Sequence, residues 1–220
     1  MPAKLKKEID RLKNQILKLG AEVESSVRLA VKSVLERDSV LAKKIIDKDE
    51  EIDSFEVEIE EDCLKILALH QPVAIDLRFI VAVLKINSDL ERIGDLAVNI
   101  AEREVIISSK RETKFPLGFE EMSEKALIML RKSLEALINL DTKIAAEVID
   151  MDDALDDMNR RMYDRVKENI RAEIENLSCM VQFLTIARNL ERMGDLATNI
   201  CEDVIYMVDG DIVRHQLSSG

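Results

Sequence analysis

One segment of the chain occurs twice, and this repeat constrains the fold more than any other feature. Residues 89–102 read DLERIGDLAVNIAE and residues 189–202 read NLERMGDLATNICE. Neither copy contains proline, and in both the apolar residues recur at steps of three and four, which is the period of a helix. The repeat therefore indicates an internal duplication whose two units are helical.

The apolar pattern around each copy extends well beyond the repeated segment. Apolar residues alternate steps of four and three along the helix that contains the first copy of the segment. The same steps recur in the helix that contains the second copy, as in a coiled-coil seam. The chain is 47% hydrophobic but only 3% aromatic, with three prolines and six glycines, which favours helix over sheet. We predict an all-α protein with two seams: Phe79, Val83, Ile86, Leu90, Ile93, Ala97 and Ile100, and Cys179, Phe183, Ile186, Leu190, Met193, Ala197 and Ile200.

A single polar run divides the chain nearly in half. It covers residues 108–116, ends in Pro116, and is followed by Gly118. On either side we expect three long helices joined by short connections, so that residues 1–110 and 111–220 each form a three-helix bundle. The long helices are expected at about 4–36, 47–69, 75–107, 120–139, 152–172 and 177–208, with short helical segments after Asp38 and over 141–149.

Charge and composition exclude several classes of function. The net charge is −12, which argues against a nucleic-acid partner because phosphate backbones bind clustered cations. No apolar run approaches the roughly 20 residues that span a bilayer, and the N-terminal residues include no apolar stretch of the kind that a signal peptide needs. We therefore expect no membrane insertion and a cytoplasmic location. Cys63, Cys179 and Cys201 lie on apolar stretches without CxxC spacing, which predicts buried, reduced thiols.

Each repeated segment carries a pair of carboxylates on one helical face. Glu91 and Asp95 are four residues apart, and Glu191 and Asp195 repeat the pair. Like charges at this spacing destabilise an isolated helix, and the glycine between them costs about 1 kcal/mol relative to alanine. Both copies contain the like-charged pair and the glycine, although each destabilises the helix. We therefore expect that a partner helix, a cation or both offset this loss of stability.

A second pair of acids precedes each repeat. In an antiparallel hairpin that turns at Pro72, Asp49 lies level with Asp95, and Asp53 lies level with Glu91. The second half has the same register around residues 173–174. Asparagines two turns further on offer an additional carbonyl oxygen in each half. The predicted metal ligands are Asp49, Asp53, Glu91, Asp95 and Asn99, and Asp152, Asp156, Glu191, Asp195 and Asn199.

The ligand type narrows the choice of ion. Carboxylate oxygens favour a divalent or trivalent ion such as Mg, Mn or Fe, and Zn less so, because His70 and His215 are the only imidazoles. Glu91 and Asp95 point away from the apolar seam, which predicts a site on the outer surface of the bundle. An ordinary solvated acidic face remains the alternative, because 44 Asp and Glu residues produce such spacings by chance.

At these motifs the chain resembles the PhoU family of phosphate-transport regulatory proteins. The resemblance covers essentially the whole length and rests on residues 71–78 (QPVAIDLR), 90–95 (LERIGD) and 190–195 (LERMGD). It implies two tandem three-helix bundles, a cytoplasmic homodimer, and metal bound at paired E/DxxxD motifs. It also implies negative regulation of phosphate uptake and phosphate-starvation signalling, together with the ATPase of the phosphate ABC transporter and a membrane sensor histidine kinase.

Two departures from the family pattern and two competing functions remain. The family usually has His after the Asp of the motif, where this chain has Leu96 and Leu196, and the second turn lacks the Gln-Pro element. A carboxylate-bridged metalloenzyme of the helical-bundle type is one alternative, although neither half has the Glu-x-x-His of di-iron proteins. A purely structural scaffold is the other. We expect a non-catalytic regulator.

Overall fold

A computed structural model describes residues 3–110, 114–116, 118–172 and 174–210. These residues form seven α-helices and one short 3-10 turn at Ile174–Asn176, and they contain no strand. The all-α prediction is confirmed. The helices are α1 Ala3–Glu36, α2 Ser39–Ile46, α3 Asp49–His70, α4 Ala74–Ser108, α5 Phe119–Asn139, α6 Thr142–Ala172 and α7 Leu177–Asp209.

Local chemistry sets several of the helix ends. Asp38 precedes α2, and its side chain accepts hydrogen bonds from two main-chain N–H groups of the following turn. Asp141 does the same before α6. At the end of α3, Gln71 adopts the left-handed conformation with φ 45°, and Pro72 follows it. The α3–α4 hairpin therefore turns where the sequence predicts.

The helices form two bundles, as predicted. In the first half α1, α2 and α3 pack against α4, and in the second half α5 and α6 pack against α7. Both predicted seams are buried along their length, apart from Phe79, which is partly buried. The two repeated segments are thus the central helices of their bundles.

The two bundles also pack against each other through these central helices. α4 and α7 run antiparallel, because Lys85 of α4 contacts Asp203 near the end of α7, and Arg78 at the start of α4 lies beside Gly210. α1 additionally contacts α5. The buried apolar side chains consequently form one continuous core that extends through both halves.

The second half differs from the prediction in one respect. We expected separate helical segments before and after residues 150–151, but α6 runs without interruption from Thr142 to Ala172. The first half is interrupted at Asp47 and Lys48, between α2 and α3. No proline or glycine occurs between residues 142 and 172, so nothing in the local sequence stops α6.

The remaining fold predictions have mixed outcomes. Cys63, Cys179 and Cys201 are buried and free, as predicted, and burial raises the pKa of Cys63 and of Cys201 to about 12. Among the described residues no helix has the length and apolar character needed to cross a membrane. The domain boundary after residue 110 stays a prediction from sequence. His215 lies outside the described residues.

Candidate metal site

The first hairpin brings its four predicted carboxylates together. Burial raises the pKa of Asp49, and repulsion by Asp53 and by Asp95 raises it further. The pKa of Glu91 is raised by burial and then by Asp95 and Asp53. Burial and the charge of Asp53 also raise the pKa of Asp95. Asn87 of α4 donates to the carboxylate of Glu56 on α3 at 3.0 Å, and Gly94 faces Ile52. These contacts give the antiparallel register in which the two acidic pairs lie level.

The second hairpin gathers the equivalent carboxylates, and one of them has a larger pKa shift than any in the first hairpin. The pKa of Asp152 rises to about 6, mainly through burial and then through the charges of Asp195 and Asp156. Burial also raises the pKa of Asp195, and Asp156 adds to this effect while Arg192 opposes it. The pKa of Glu191 is raised by burial and by the charges of Asp195 and Asp156. We refer to the two sets of four carboxylates as the first and second quartets.

The glycine inside each repeated segment allows the paired helices to approach closely. A Cβ atom added at Gly94 would lie 3.3 Å from Cγ2 of Ile52 on α3. A Cβ atom added at Gly194 would lie 2.5 Å from Cδ2 of Leu155 on α6 and 3.4 Å from Oδ1 of Asp152. At the level of the carboxylates, the paired helices therefore leave little room for a side chain on α4 or α7.

Both quartets lie on the outer surface, as the sequence predicts. Their backbones belong to packed helices, and all eight residues are at least partly exposed. Oδ1 of Asp49 is buried, and Asp156 pairs with Arg160 at 3.5 Å. Three of the eight carboxylates are exposed and five are partly buried. The exposed ones are Asp53, Asp95 and Asp195, and the partly buried ones are Asp49, Glu91, Asp152, Asp156 and Glu191.

The predicted asparagine ligands lie near the quartets but differ in exposure. Asn99 is exposed, and its side-chain amide donates a hydrogen bond of 2.9 Å to the main-chain oxygen of Asp95. This bond fixes the nitrogen on its own helix and leaves the side-chain oxygen as the group that can bind an ion. Asn199 is partly buried. Arg92, beside Glu91, pairs with Asp89 at 3.7 Å.

Sequence reasoning missed Glu56, a fifth carboxylate beside the first quartet. Burial and the charges of Glu60 and Asp53 raise the pKa of Glu56, and its charge in turn raises the pKa of Glu91. Its carboxylate accepts a hydrogen bond of 3.0 Å from the amide of Asn87, a buried residue. It lies one turn after Asp53 on the same helix, a spacing that places the two side chains near one another.

The quartets supply negative charge and oxygen ligands rather than a preformed cage. Within residues 3–110, 114–116, 118–172 and 174–210, no group of three or more His, Cys, Asp or Glu side chains is arranged so that it could hold a metal ion. Metal binding would require rotation of the carboxylates toward a common point. The ligand assignments therefore stay predictions.

A protein-family model matches both halves of this chain, and known relatives match it over nearly its full length. The model described as "PhoU domain" matches residues 16–103 and again residues 119–204. The "Phosphate-specific transport system accessory protein PhoU homolog" of Aquifex aeolicus is 35% identical over 213 residues, covering 97% of this chain and 96% of the relative. Homolog 1 of Thermotoga maritima is 34% identical, covering 96% and 91% respectively.

Two solved structures share the fold. The crystal structure of PhoU from Pseudomonas aeruginosa superposes with a TM-score of 0.91 at 31% identity, covering 94% of this chain and 99% of that one. The phosphate transport system regulatory protein PhoU from Streptococcus pneumoniae superposes with a TM-score of 0.84 at 30% identity, covering 95% and 99%.

Proposed function

The chain belongs to the PhoU family, and on that premise we propose that it is an accessory and regulatory protein of a phosphate transport system. The observation that carries this proposal is the match of relatives with that printed role over nearly the whole of both chains. Two copies of the PhoU domain in the chain support it further. These relatives are named as accessory proteins rather than as enzymes, which favours the regulator over the metalloenzyme.

In its finer form, the proposed role is negative regulation. The protein would act in the cytoplasm as a homodimer and limit phosphate uptake when phosphate is abundant. Its partners would be the ATPase of the phosphate ABC transporter and a membrane sensor histidine kinase. The resemblance of the repeated motifs to the family signature supports this role.

We further propose that each quartet binds a metal ion of the Fe, Mn, Mg or Zn type. Four carboxylates at one level raise one another's pKa values, and a multivalent cation removes that repulsion. Exposure of Asp53, Asp95 and Asp195 leaves these ligands able to turn toward an ion. The metal would stabilise the register of each hairpin and present a charged surface to a partner.

A reporter of phosphate starvation in the host cell tests the regulatory role. Deletion of the gene is expected to activate the reporter in phosphate-rich medium, and the wild-type gene is expected to restore repression. Co-purification with the transporter ATPase and with the sensor kinase tests the partners directly. A reporter that stays repressed after deletion would contradict negative regulation.

Metal analysis of the purified protein tests the ion separately. We expect bound metal in the wild type and loss of part of it in Glu91→Ala/Asp95→Ala, which removes half of the first quartet. A matched control is Glu120→Ala/Glu124→Ala, because these two exposed acids have the same spacing on α5. Absence of metal from the wild type would favour the scaffold, and metal-dependent turnover would favour the enzyme.

A further inference from the structure

A groove of about 590 Å³ opens between α1 and α3, on the opposite side of α3 from the first quartet. Its apolar floor is formed by Leu29 and Phe55, which are partly buried, and by Leu19, Ile45 and Ile52, which are buried. Ile52 lines the groove and also packs on Gly94 of α4. The helix α3 therefore separates this groove from the carboxylates.

The interruption between α2 and α3 contributes to the shape of the groove. α1 and α3 run antiparallel, because Gln15 donates to Glu58 at 3.2 Å and Lys18 lies 4.9 Å from the ring centroid of Phe55. Lys48, in the gap between α2 and α3, lines the groove. In the second half α6 continues through the equivalent position. The groove therefore uses a feature that the duplication does not repeat.

The dimensions of the groove suit a helix. Its floor extends along α1 from Leu19 to Leu29, which is a distance of about 15 Å at 1.5 Å per residue. That length accommodates about three turns of a second helix. Amphipathic helices bind such grooves through side chains spaced at i, i+4 and i+7.

The charged side chains that line the groove, which we call its rim, indicate the charge that a partner would carry. Glu22, Glu50 and Glu51 line the groove, and among the described residues none of them forms a salt bridge with a lysine or arginine. Glu58 also lines the rim, whereas the cations of the lining are Lys18 and Lys48. The rim thus carries excess negative charge around an apolar floor, and this arrangement is complementary to a helix with an apolar ridge and basic flanks.

We propose that the groove between α1 and α3 is a docking site for a basic amphipathic helix of a partner protein. The proposal deepens the accessory role proposed above, since such a protein must bind partners. It uses neither the metal sites nor phosphate transport. Failure of the test below would leave the accessory role intact.

A fluorescent label in the groove provides a direct measurement. Cys63, Cys179 and Cys201 are buried, so a cysteine introduced as Ser26→Cys at the groove is labelled selectively with an environment-sensitive dye. The probe is a synthetic helical peptide of about 14 residues, with leucines at i, i+4 and i+7 and lysines elsewhere. A label at Glu168→Cys, an exposed position on α6, is the matched control.

We expect saturable binding of the lysine peptide at the groove label and no response at the control label. A peptide with glutamate in place of every lysine should bind at least about 10-fold more weakly. Equal binding of the two peptides, or an equal response at both labels, would overturn the proposal. A groove signal that depends on protein concentration without peptide would assign the groove to a second copy of the chain instead.

Charge reversal tests whether the rim itself supplies the recognition. Glu22→Lys/Glu51→Lys should weaken binding of the lysine peptide at least about 10-fold. The same reversal at Glu120 and Glu124, outside the groove, should change it less than about 2-fold because long-range attraction is screened by salt. Circular dichroism verifies that each variant is folded. Equal weakening by both reversals would show that the net charge alone attracts the peptide.

Discussion

Gly94 and Gly194 occupy equivalent positions of the duplicated segment, yet they meet different neighbours. The atom nearest to an added Cβ at Gly94 is a methyl group of Ile52 at 3.3 Å, which needs to move by only a few tenths of an ångström. At Gly194 the distance to Leu155 is 2.5 Å, and Leu155 is fully buried. The same substitution should therefore have opposite effects in the two halves.

We predict that Gly194→Ala destabilises the protein and that Gly94→Ala does not. Alanine stabilises a helix by about 1 kcal/mol relative to glycine, whereas overpacking a core costs about 1–3 kcal/mol. The net result should be a loss of about 1 kcal/mol for Gly194→Ala and a small gain for Gly94→Ala. Chemical denaturation of both variants measures the difference. Equal stability of the two would contradict the packing argument.

The pKa of Asp152 predicts how the metal-free protein responds to pH. This pKa is about 6 in the folded protein, compared with 3.8 for an isolated aspartate side chain in water. The folded state therefore binds the proton more tightly, and the stability that this group contributes is present below pH 3.8 and lost as the pH rises through 6. We expect the metal-free protein to be more stable near pH 5 than near pH 7.5 on account of this carboxyl group.

The substitution Asp152→Asn measures how much this carboxyl group contributes to the pH dependence of stability. Because the amide cannot ionise, the variant should be more stable than the wild type at pH 7.5 in a chelator, by about 1 kcal/mol after allowance for solvent screening. Near pH 4 the two proteins should differ little. Thermal unfolding across this pH range is the measurement, and Glu168→Gln, at an exposed position further along α6, is the control. A wild type that is more stable at every pH would contradict the prediction.

At the level of single residues, the sequence predicted the eight carboxylates but not Glu56. The eight were found because they recur in pairs at a fixed spacing in both halves. Glu56 has no acidic counterpart, since the equivalent position in the second half is Asn159. Its proximity to Glu91 depends on how α3 packs on α4, which a repeat search does not detect.

Among the elements, the hairpin register was predictable and the course of α6 was not. Pro72 fixes the first turn, so the residue levels on α3 and α4 follow from counting in both directions. The acids at 152–153 suggested a helix start, because acidic residues favour helix N-termini. They lie inside α6 because no proline or glycine interrupts the helix before them. An acidic pair alone therefore does not define a helix boundary.

Metal binding at the hairpins should raise the melting temperature. An ion that binds only the native state at 100 times its dissociation constant adds about 2.7 kcal/mol, and 1 kcal/mol shifts a chain of this size by about 2–4 °C. We therefore expect an increase of about 5–10 °C per occupied quartet if the binding is of this strength. Thermal unfolding with saturating Mn, Fe, Zn and Mg measures it.

Variants in each half show whether the two quartets act separately. Glu91→Ala/Asp95→Ala and Glu191→Ala/Asp195→Ala should each abolish part of the increase, and the combination should abolish all of it. Glu120→Ala/Glu124→Ala should retain the full response. An unchanged melting curve of the wild type with every ion would exclude metal binding as a property of the quartets.

At the level of the whole molecule, the sequence predicted two bundles but not how they associate. The predicted apolar seams account for one buried face on α4 and one buried face on α7. Each helix buries further residues outside that seam, including Ala82 and Ala101 on α4 and Ala187 and Cys201 on α7. A helix that is buried on several sides has packing partners on several sides, and periodicity alone does not identify them. The α4–α7 interface supplies the additional partner.

The bridge between Lys85 and Asp203 tests this interface. Lys85 Nζ lies 3.0 Å from Asp203 Oδ1, and the side chain of Asp203 is only 3% exposed, whereas that of Lys85 is 38% exposed. Lys85→Met would leave a buried carboxylate without this partner, and we expect a loss of about 2 kcal/mol, since water reaches one side of the pair. The Lys132–Glu147 pair joins α5 to α6 at 2.6 Å with side-chain exposures of 32% and 60%. Lys132→Met should therefore cost below about 1 kcal/mol.

The form of the unfolding curve adds a second readout. Because α4 and α7 share one core, the wild type should unfold in a single transition that involves both bundles. Asp203→Asn combined with Lys85→Met removes the buried charge and should recover part of the stability lost in Lys85→Met. Denaturant titration followed by circular dichroism measures all four proteins. If Lys85→Met and Lys132→Met cost the same, the bridge contributes no more than a surface ion pair, and apolar packing alone would join the two bundles.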